Sequence, residues 1–330
     1  MSRAASGAER TIVMTGASRG IGRVAARRIL TEQPRSHLVL LSRTAPHELL
    51  EEFAAIDGTV STIHTELSSL QSVADATDEV VARARSGDLP PIHTLVCNAG
   101  VQHTNALTET IDGFESTFAV NVLANHVLVR RLQDHLHAHA SLVITVSDTH
   151  FGDLRHNLGM VPGPRWQPVG TLARVGAFPK PAGTTAGRIA YSTSKLAAIY
   201  LVHEYARRLP ATWRIAGYNP GFVPGTALAR DADACSRFAM RRVMPLLTVT
   251  PLAASVGDAG RFLADAALGA LEAPRGGYID RSRIAPSSTA SYDPQRERET
   301  WEAVEALTAD FLPKTAKGDI DAHHRHHGGE

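Results

Sequence analysis

Cysteine is almost missing from this chain: Cys97 and Cys235 are the only two in 330 residues, and neither has metal-type spacing. That scarcity excludes a disulfide framework and a cysteine-built zinc site, and it fits a reducing compartment, so the cytoplasm is expected. An excess of one charge is also missing, since 34 Lys and Arg face 33 Asp and Glu, a formal net charge of +1. Such a balance gives no electrostatic reason to bind nucleic acid or an anionic membrane, and any charge that matters must be local. No run approaches the roughly 20 apolar residues of a membrane span, and Met1–Arg10 lacks an apolar stretch behind a basic start, which argues against a secretory leader. Internal repeats and an interdomain linker are absent as well.

What is present is material for one large core, with 43% hydrophobic and 20% charged residues. Short apolar, β-branched runs alternate with longer helical patterns: Thr11–Thr15, His37–Leu41, Thr59–His64, Thr94–Cys97, Leu142–Val146, Arg214–Tyr218 and Gly277–Ile279. Seven strands separated by helices predict an α/β fold, a doubly wound parallel sheet with helices on both faces. Right-handed crossovers then place the whole in one continuous domain over residues 10–313, between a flexible N-terminus (1–9) and a flexible tail (314–330). The tail's His323, His324, His326 and His327 lie among glycine and charge, so no metal is assigned to them. Two stretches break the rhythm, 148–188, with five prolines, and 221–251, which opens Gly-Phe-Val-Pro-Gly-Thr. Both follow strands, where open α/β sheets bind ligands, and both are expected to cover substrate, disorder being the alternative. After Arg281 the chain is expected to leave the sheet, with Asp293-Pro294 opening a helix whose Trp301, Val304, Leu307 and Phe311 form a core stripe.

The first strand runs into Thr15-Gly16-Ala17-Ser18-Arg19-Gly20-Ile21-Gly22. Glycines at a strand-to-helix turn let the backbone approach a pyrophosphate, and the helix start offers N–H donors and a favourable dipole. Choice between NAD and NADP normally falls at the end of the second strand, where an acidic residue takes the ribose 2′-OH and Arg accommodates a 2′-phosphate. Here that turn reads Leu41-Ser42-Arg43-Thr44, without an acid. Arg43 and Arg19 therefore favour NADP(H), unless both are plain solvated charges. Glu66-Leu67, after the third strand, are placed to touch the adenine, and Asn98-Ala99-Gly100, after the fourth, let the backbone pass its ribose.

Tyr191 and Lys195 lie at i and i+4 near the start of a helical pattern, Ile189–Leu209, and so share a face. A phenol of pKa about 10 is a poor acid/base at neutral pH, and a neighbouring ammonium favours its phenolate. Ser147, ending the fifth strand, is placed to hydrogen-bond a reacting oxygen, with Asp148 the alternative if the strand end shifts by one residue. Asn121, in the helix after the fourth strand, is a candidate to hold a water linked to Lys195. A purely structural polar role is the competing reading for Ser147 and Asn121. His150 and His156 adjoin Ser147 and read more simply as locally bonded or exposed histidines, and Phe151, Trp166, Phe178 and Phe222 could line a pocket or staple their loops.

Taken together, Thr15-Gly16-x-x-x-Gly20-Ile21-Gly22, Asn98-Ala99-Gly100, Asn121, Ser147, Tyr191-x-x-x-Lys195 and Pro220-Gly221 resemble the classical short-chain dehydrogenase/reductase family over about Arg10 to Leu312. The resemblance implies strand order 3-2-1-4-5-6-7, a catalytic set of Asn121, Ser147, Tyr191 and Lys195, and a dinucleotide site. That site would draw on Gly16, Ser18, Arg19, Gly20, Ile21, Gly22, Arg43, Glu66, Leu67, Asn98, Ala99, Gly100, Tyr191, Lys195, Pro220, Gly221, Val223 and Thr226. The long segment before Tyr191, with Pro286–Asp293 and Trp301, is similar to the retinol dehydrogenase and protochlorophyllide reductase-like branch, which implies a bulky, lipophilic or polyketide-like small molecule. Departures are the 44-residue separation of Ser147 from Tyr191, Glu66 in place of the family's Asp, and an extra Pro224-Gly225 before Thr226. The expected activity is hydride transfer between NADP(H) and a carbonyl or alcohol. Its rivals are a non-redox cyclase, dehydratase or isomerase on the same scaffold, and an NADP-sensing regulator. A homodimer or homotetramer is compatible with the resemblance.

Overall fold

A computed structural model describes residues 7–44, 47–56, 59–157, 159, 161–224 and 254–313. Thr226, Cys235, most of 221–251 and the histidine-rich tail lie outside them.

The strands are β1 (Arg10–Thr15), β2 (Ser36–Ser42), β3 (Thr59–His64), β4 (Ile92–Cys97), β5 (Leu136–Thr145), β6 (Arg214–Asn219), β7 (Gly277–Asp280) and β8 (Arg283–Ala285). They form one sheet in the order β3-β2-β1-β4-β5-β6-β7-β8. All neighbours pair in parallel except β7 and β8, which are antiparallel. Parallel pairing requires helical crossovers, and the principal ones are α1 (Gly20–Glu32), α2 (His47–Ala54), α3 (Leu70–Ser86), α4 (Ala124–Leu132), α5 (Thr184–Arg208) and α6 (Val256–Leu268), while α7 (Pro294–Thr308) follows the last strand.

Strand side chains alternate between two cores. Val13, Val39, Leu95, Leu142 and Ile144 face α3, α4 and α5. Their neighbours Ile12, Met14, Leu38, Leu40, Val96 and Val143 pack with Ala25, Ile29 and Leu30 of α1 and Leu263 and Ala267 of α6. Burial on both faces explains why the strands read as continuous apolar runs rather than as alternating ones. Helices α1 and α6 touch closely at Gly260, where a Cβ would come within 2.4 Å of Val24 Cβ.

The seven expected strands are present, and an eighth corrects the expectation that the chain leaves the sheet after Arg281. Arg281 takes φ 57° and turns the chain back so that Asp280 pairs with Arg283. Three residues on an edge carry too little periodicity to be read in advance. Strand β5 also starts six residues before the expected Leu142, because its first half, through His137, Ala138 and His139, is half-buried or exposed. Helix α7 begins as read: Asp293 caps it by accepting from the N–H groups of Gln295 and Arg296. Its Trp301 and Val304 are buried, and Leu307 and Phe311 pack against the same core. There Trp301 meets His126 and Tyr205 edge-on, and His126 lies between the Tyr205 hydroxyl, at 2.8 Å, and Glu305, at 2.9 Å.

Candidate active site

The carboxyl ends of β1, β4, β5, β6 and β7 bring the singled-out residues to one edge of the sheet. Gly16 and Gly22 are required by the protein's own packing: a Cβ on Gly16 would lie 2.9 Å from Ala99 Cα, and one on Gly22 2.0 Å from the Gly16 carbonyl. Gly20 has φ +54° and open space where its Cβ would be. No side chain caps α1, whose N-cap is Arg19, and its first turn holds no acid. A helix start with uncapped N–H groups, beside a left-handed glycine facing open space, fits a dinucleotide pyrophosphate. Gly16 and Asn98 are tied together, since the Asn98 amide donates to the Gly16 carbonyl at 3.2 Å and Thr15 Oγ1 accepts the backbone N–H groups of Asn98 and Ala99, each at 3.1 Å. Asn98 Oδ1 accepts from Thr145 Oγ1, joining β4 to β5. These brackets were invisible in the sequence, although Thr15 stands directly before the glycines.

Arg43 is exposed at the end of β2, with its guanidinium 3.5 Å from Glu66 Oε2. The other Glu66 oxygen accepts the Ser68 N–H, so this carboxylate shapes the turn into α3 as well as facing Arg43. Leu67 packs against the first core and Val223 against Ile21 and Ala259. Gly221, at φ +73°, sits against the Arg281 side chain, and its N–H donates to Asn219.

Tyr191, Ser194 and Lys195 are buried on α5. The Lys195 ammonium donates to the Thr145 carbonyl at 2.8 Å and stands 5.7 Å from the Tyr191 ring centre. Burial lowers its pKa to about 8. Burial raises Tyr191 well above the usual phenol value; a hydrogen bond with Ser147 opposes this, and the Asp148 carboxylate adds to it. In the chain by itself burial is the largest influence on Tyr191 and favours its protonated form.

At the strand end it is Ser147 that bonds Tyr191, and Asp148 Oδ1 accepts from Ser147 Oγ at 3.4 Å. Asn121 sits in a π-helical turn, Ala119–Leu123, a local irregularity often found at functional sites. Its Oδ1 accepts the Val101 N–H at 2.9 Å, and its Nδ2 donates to Val101 O and Ser194 Oγ, both at 3.0 Å. The side chain thus clamps the loop after β4 to α5, while the Asn121 carbonyl accepts from Asn125 Nδ2.

The segment 148–188 is folded down rather than extended. It carries short helices at Leu154–Asn157 and Val169–Leu172, and α5 starts five residues before the expected Ile189. Phe178 is buried in the core, Trp166 meets Tyr200 edge-on, and Phe151 stacks on His156, so these rings staple the segment. His150 is held on both sides: Nδ1 donates to Ser147 O at 2.6 Å and Nε2 accepts the Ser288 N–H at 2.9 Å. Burial lowers its pKa to about 4, consistent with a neutral strut between β5 and the C-terminal segment. Among the described residues there is no metal-type cluster, and no helix is long and apolar enough to cross a membrane.

Comparison with known proteins gives this sheet edge its class. Residues 10–152 match the short chain dehydrogenase family. A Streptomyces sp. (strain C5) protein named "Putative daunorubicin C-13 ketoreductase DnrU" is 31% identical over 302 residues, spanning 91% of this chain and 93% of its own. Chloroplastic protochlorophyllide reductase A of Hordeum vulgare is 27% identical, over 90% of this chain and 79% of its own. An uncharacterized protein from Mycobacterium paratuberculosis shares the fold, with a TM-score of 0.61 at 23% identity, over 93% of this chain and 96% of that one. The chain belongs to the short-chain dehydrogenase/reductase family, in its protochlorophyllide reductase-like branch. It is accordingly an oxidoreductase acting on CH–OH or C=O groups with a nicotinamide dinucleotide.

Proposed function

We propose that the protein is an NADPH-dependent ketoreductase/dehydrogenase for a bulky, lipophilic, polyketide-like carbonyl or alcohol. The observation that carries the chemistry is the buried Tyr191, bonded to Ser147, on the same edge as the glycine turn. Tyr191 gives its proton to the substrate oxygen, and Ser147 orients that oxygen and stabilises charge developing on it. Lys195, anchored by Thr145, would offer its ammonium to the ribose of a bound dinucleotide and to the phenolate that forms. Asn121 holds the loop after β4 in register with α5. When bound, the dinucleotide supplies the hydride, and the chain supplies geometry and proton handling.

Preference for NADP(H) rests on the exposed Arg43 and Arg19 and on a β2 end without a carboxylate to meet a 2′-OH. A bulky substrate is supported by the names of the relatives, a daunorubicin ketoreductase and a protochlorophyllide reductase. The test is a fluorescence titration of the purified chain with NADPH and with NADH. The reading expects NADPH to bind about tenfold or more tightly, the effect of one charge-assisted phosphate contact. Equal affinities remove the NADP assignment, and no binding of either removes the redox reading in favour of non-redox chemistry.

A further inference from the structure

His150 lies three residues beyond Ser147 and has no part in the proton transfer described above. It is 1% exposed, closed off from water, in the short helical turn Asp148–Phe151 that Ser147 caps. Its ring centre lies 4.2 Å from that of Phe151 and 5.3 Å from that of Tyr278. Nδ1 stands 2.6 Å from the Ser147 carbonyl oxygen, which can only accept, and Nε2 stands 2.9 Å from the Ser288 nitrogen, whose N–H can only donate. Those two partners dictate a neutral imidazole with its proton on Nδ1. Burial, which lowers the pKa to about 4, favours the same neutral form. The backbone N–H of His150 reaches the Ser147 carbonyl only at 3.4 Å, so the imidazole is its close partner.

The peptide unit between Ser147 and Asp148 is gripped at both ends. His150 holds its carbonyl, and its N–H donates to Asn219 Oδ1 at 3.1 Å, while Asn219 Nδ2 donates to Asp280 Oδ1 at 2.9 Å. One residue earlier, the Val146 N–H donates to the Tyr218 carbonyl at 2.8 Å. A planar peptide held on both sides fixes the backbone rotation of Ser147, and with it the direction of the Cα–Cβ bond that aims the hydroxyl at Tyr191. The far side of the imidazole leans on the C-terminal segment, whose Ala290 carbonyl accepts from the hydroxyl of Tyr200 on α5 at 2.7 Å. That segment thus touches both the support of Ser147 and the helix that carries Tyr191. We infer that His150 is a positioning residue: braced by the Ser288 N–H, it holds the Ser147 carbonyl and so keeps the Ser147 hydroxyl in register with Tyr191.

The role assigned to His150 rests on Ser147 orienting the substrate oxygen, and a double-mutant cycle separates the two. kcat and KM for NADPH-driven ketone reduction are compared in wild type, His150→Asn, His150→Gln, Ser147→Ala and the Ser147→Ala, His150→Gln double variant, at a temperature where thermal unfolding shows all of them folded. An Asn amide places an N–H where Nδ1 stands and keeps the Ser147 bond; the longer Gln amide matches Nε2, faces Ser288 and loses that bond. His150→Gln should therefore lower kcat about 10-fold, with KM and NADPH affinity close to wild type, and His150→Asn should restore most of the rate. Ser147→Ala should lower kcat about 100-fold, and adding His150→Gln to it should cost about twofold or less, because no hydroxyl remains to misplace. An equal loss in both backgrounds, an Asn variant as slow as the Gln variant, or a Gln variant with wild-type kcat overturns the role of His150 and leaves Ser147 in place. Unchanged kcat in Ser147→Ala overturns the orienting role of Ser147, and the role of His150 with it. Should His150→Gln not fold, the imidazole nitrogen chemical shifts of the wild-type protein decide, assigned by their absence in His150→Asn. A protonated Nδ1 with a bare Nε2 at neutral pH is expected, and the opposite tautomer or an imidazolium overturns the inference.

Discussion

The two halves of the candidate site are built from different materials. On the β1–β4 side the working surface is backbone: three glycines, an uncapped helix start, and carbonyls and N–H groups tied by Thr15 and Asn98. On the β5–β7 side it is side chains whose ionisation has been moved by burial and by one another, with Tyr191 and Asp148 raised and Lys195 lowered. Backbone sites fix where a ligand lies and are insensitive to pH, whereas a buried titratable cluster decides when a proton moves. The difference teaches that binding and turnover should separate cleanly on mutation.

The largest separation is expected from Tyr191→Phe. Turnover should fall by about 10³-fold or more, while NADPH binding, read by fluorescence, stays close to wild type. The converse is Gly22→Ala, whose Cβ would meet the Gly16 carbonyl at 2.0 Å. NADPH binding should be lost, and thermal unfolding should show a destabilisation of about 1–3 kcal/mol. Next comes Asp148→Asn, read as stability. A carboxyl raised in the folded state from 3.8 to about 7 favours the fold in its protonated form, and that advantage is lost as pH rises through 7. The variant should therefore be more stable than wild type above neutral pH, by about 1–3 kcal/mol, with the gap closing on acidification. Smallest is Arg43→Ala: NADPH affinity should drop about 10-fold and NADH affinity hold. Loss of the solvent-exposed pair with Glu66 should leave the melting temperature unchanged.

The same division decided what could be read beforehand. Glycine announces its own reason, so the turn after β1 was legible, and strands buried on both faces gave seven apolar runs close to their true positions. The Tyr191/Lys195 pair was legible because i and i+4 on a helix is a local relation. Whatever depends on groups brought together across strands was not legible. Asn219 and Asp280, from β6 and β7, enter the site only through tertiary structure. The opposed influences on Tyr191 cannot be weighed without knowing its burial, which exists only in the folded chain. Ser147 and Tyr191 come together despite their separation in sequence because the intervening segment folds back on itself: Gly152 packs against Gly163, and the Arg165 N–H donates to Thr193 on α5.

The most direct test of the central claim is to follow NADPH absorbance while fused-ring aromatic ketones are offered to wild type and to Tyr191→Phe, with cofactor binding verified in both. The account predicts that wild type consumes NADPH with at least one such ketone, giving the alcohol in equal amount, and that the variant binds NADPH without consuming it. Equal consumption by both proteins would contradict the assignment of Tyr191, and with it the mechanism built on this edge of the sheet.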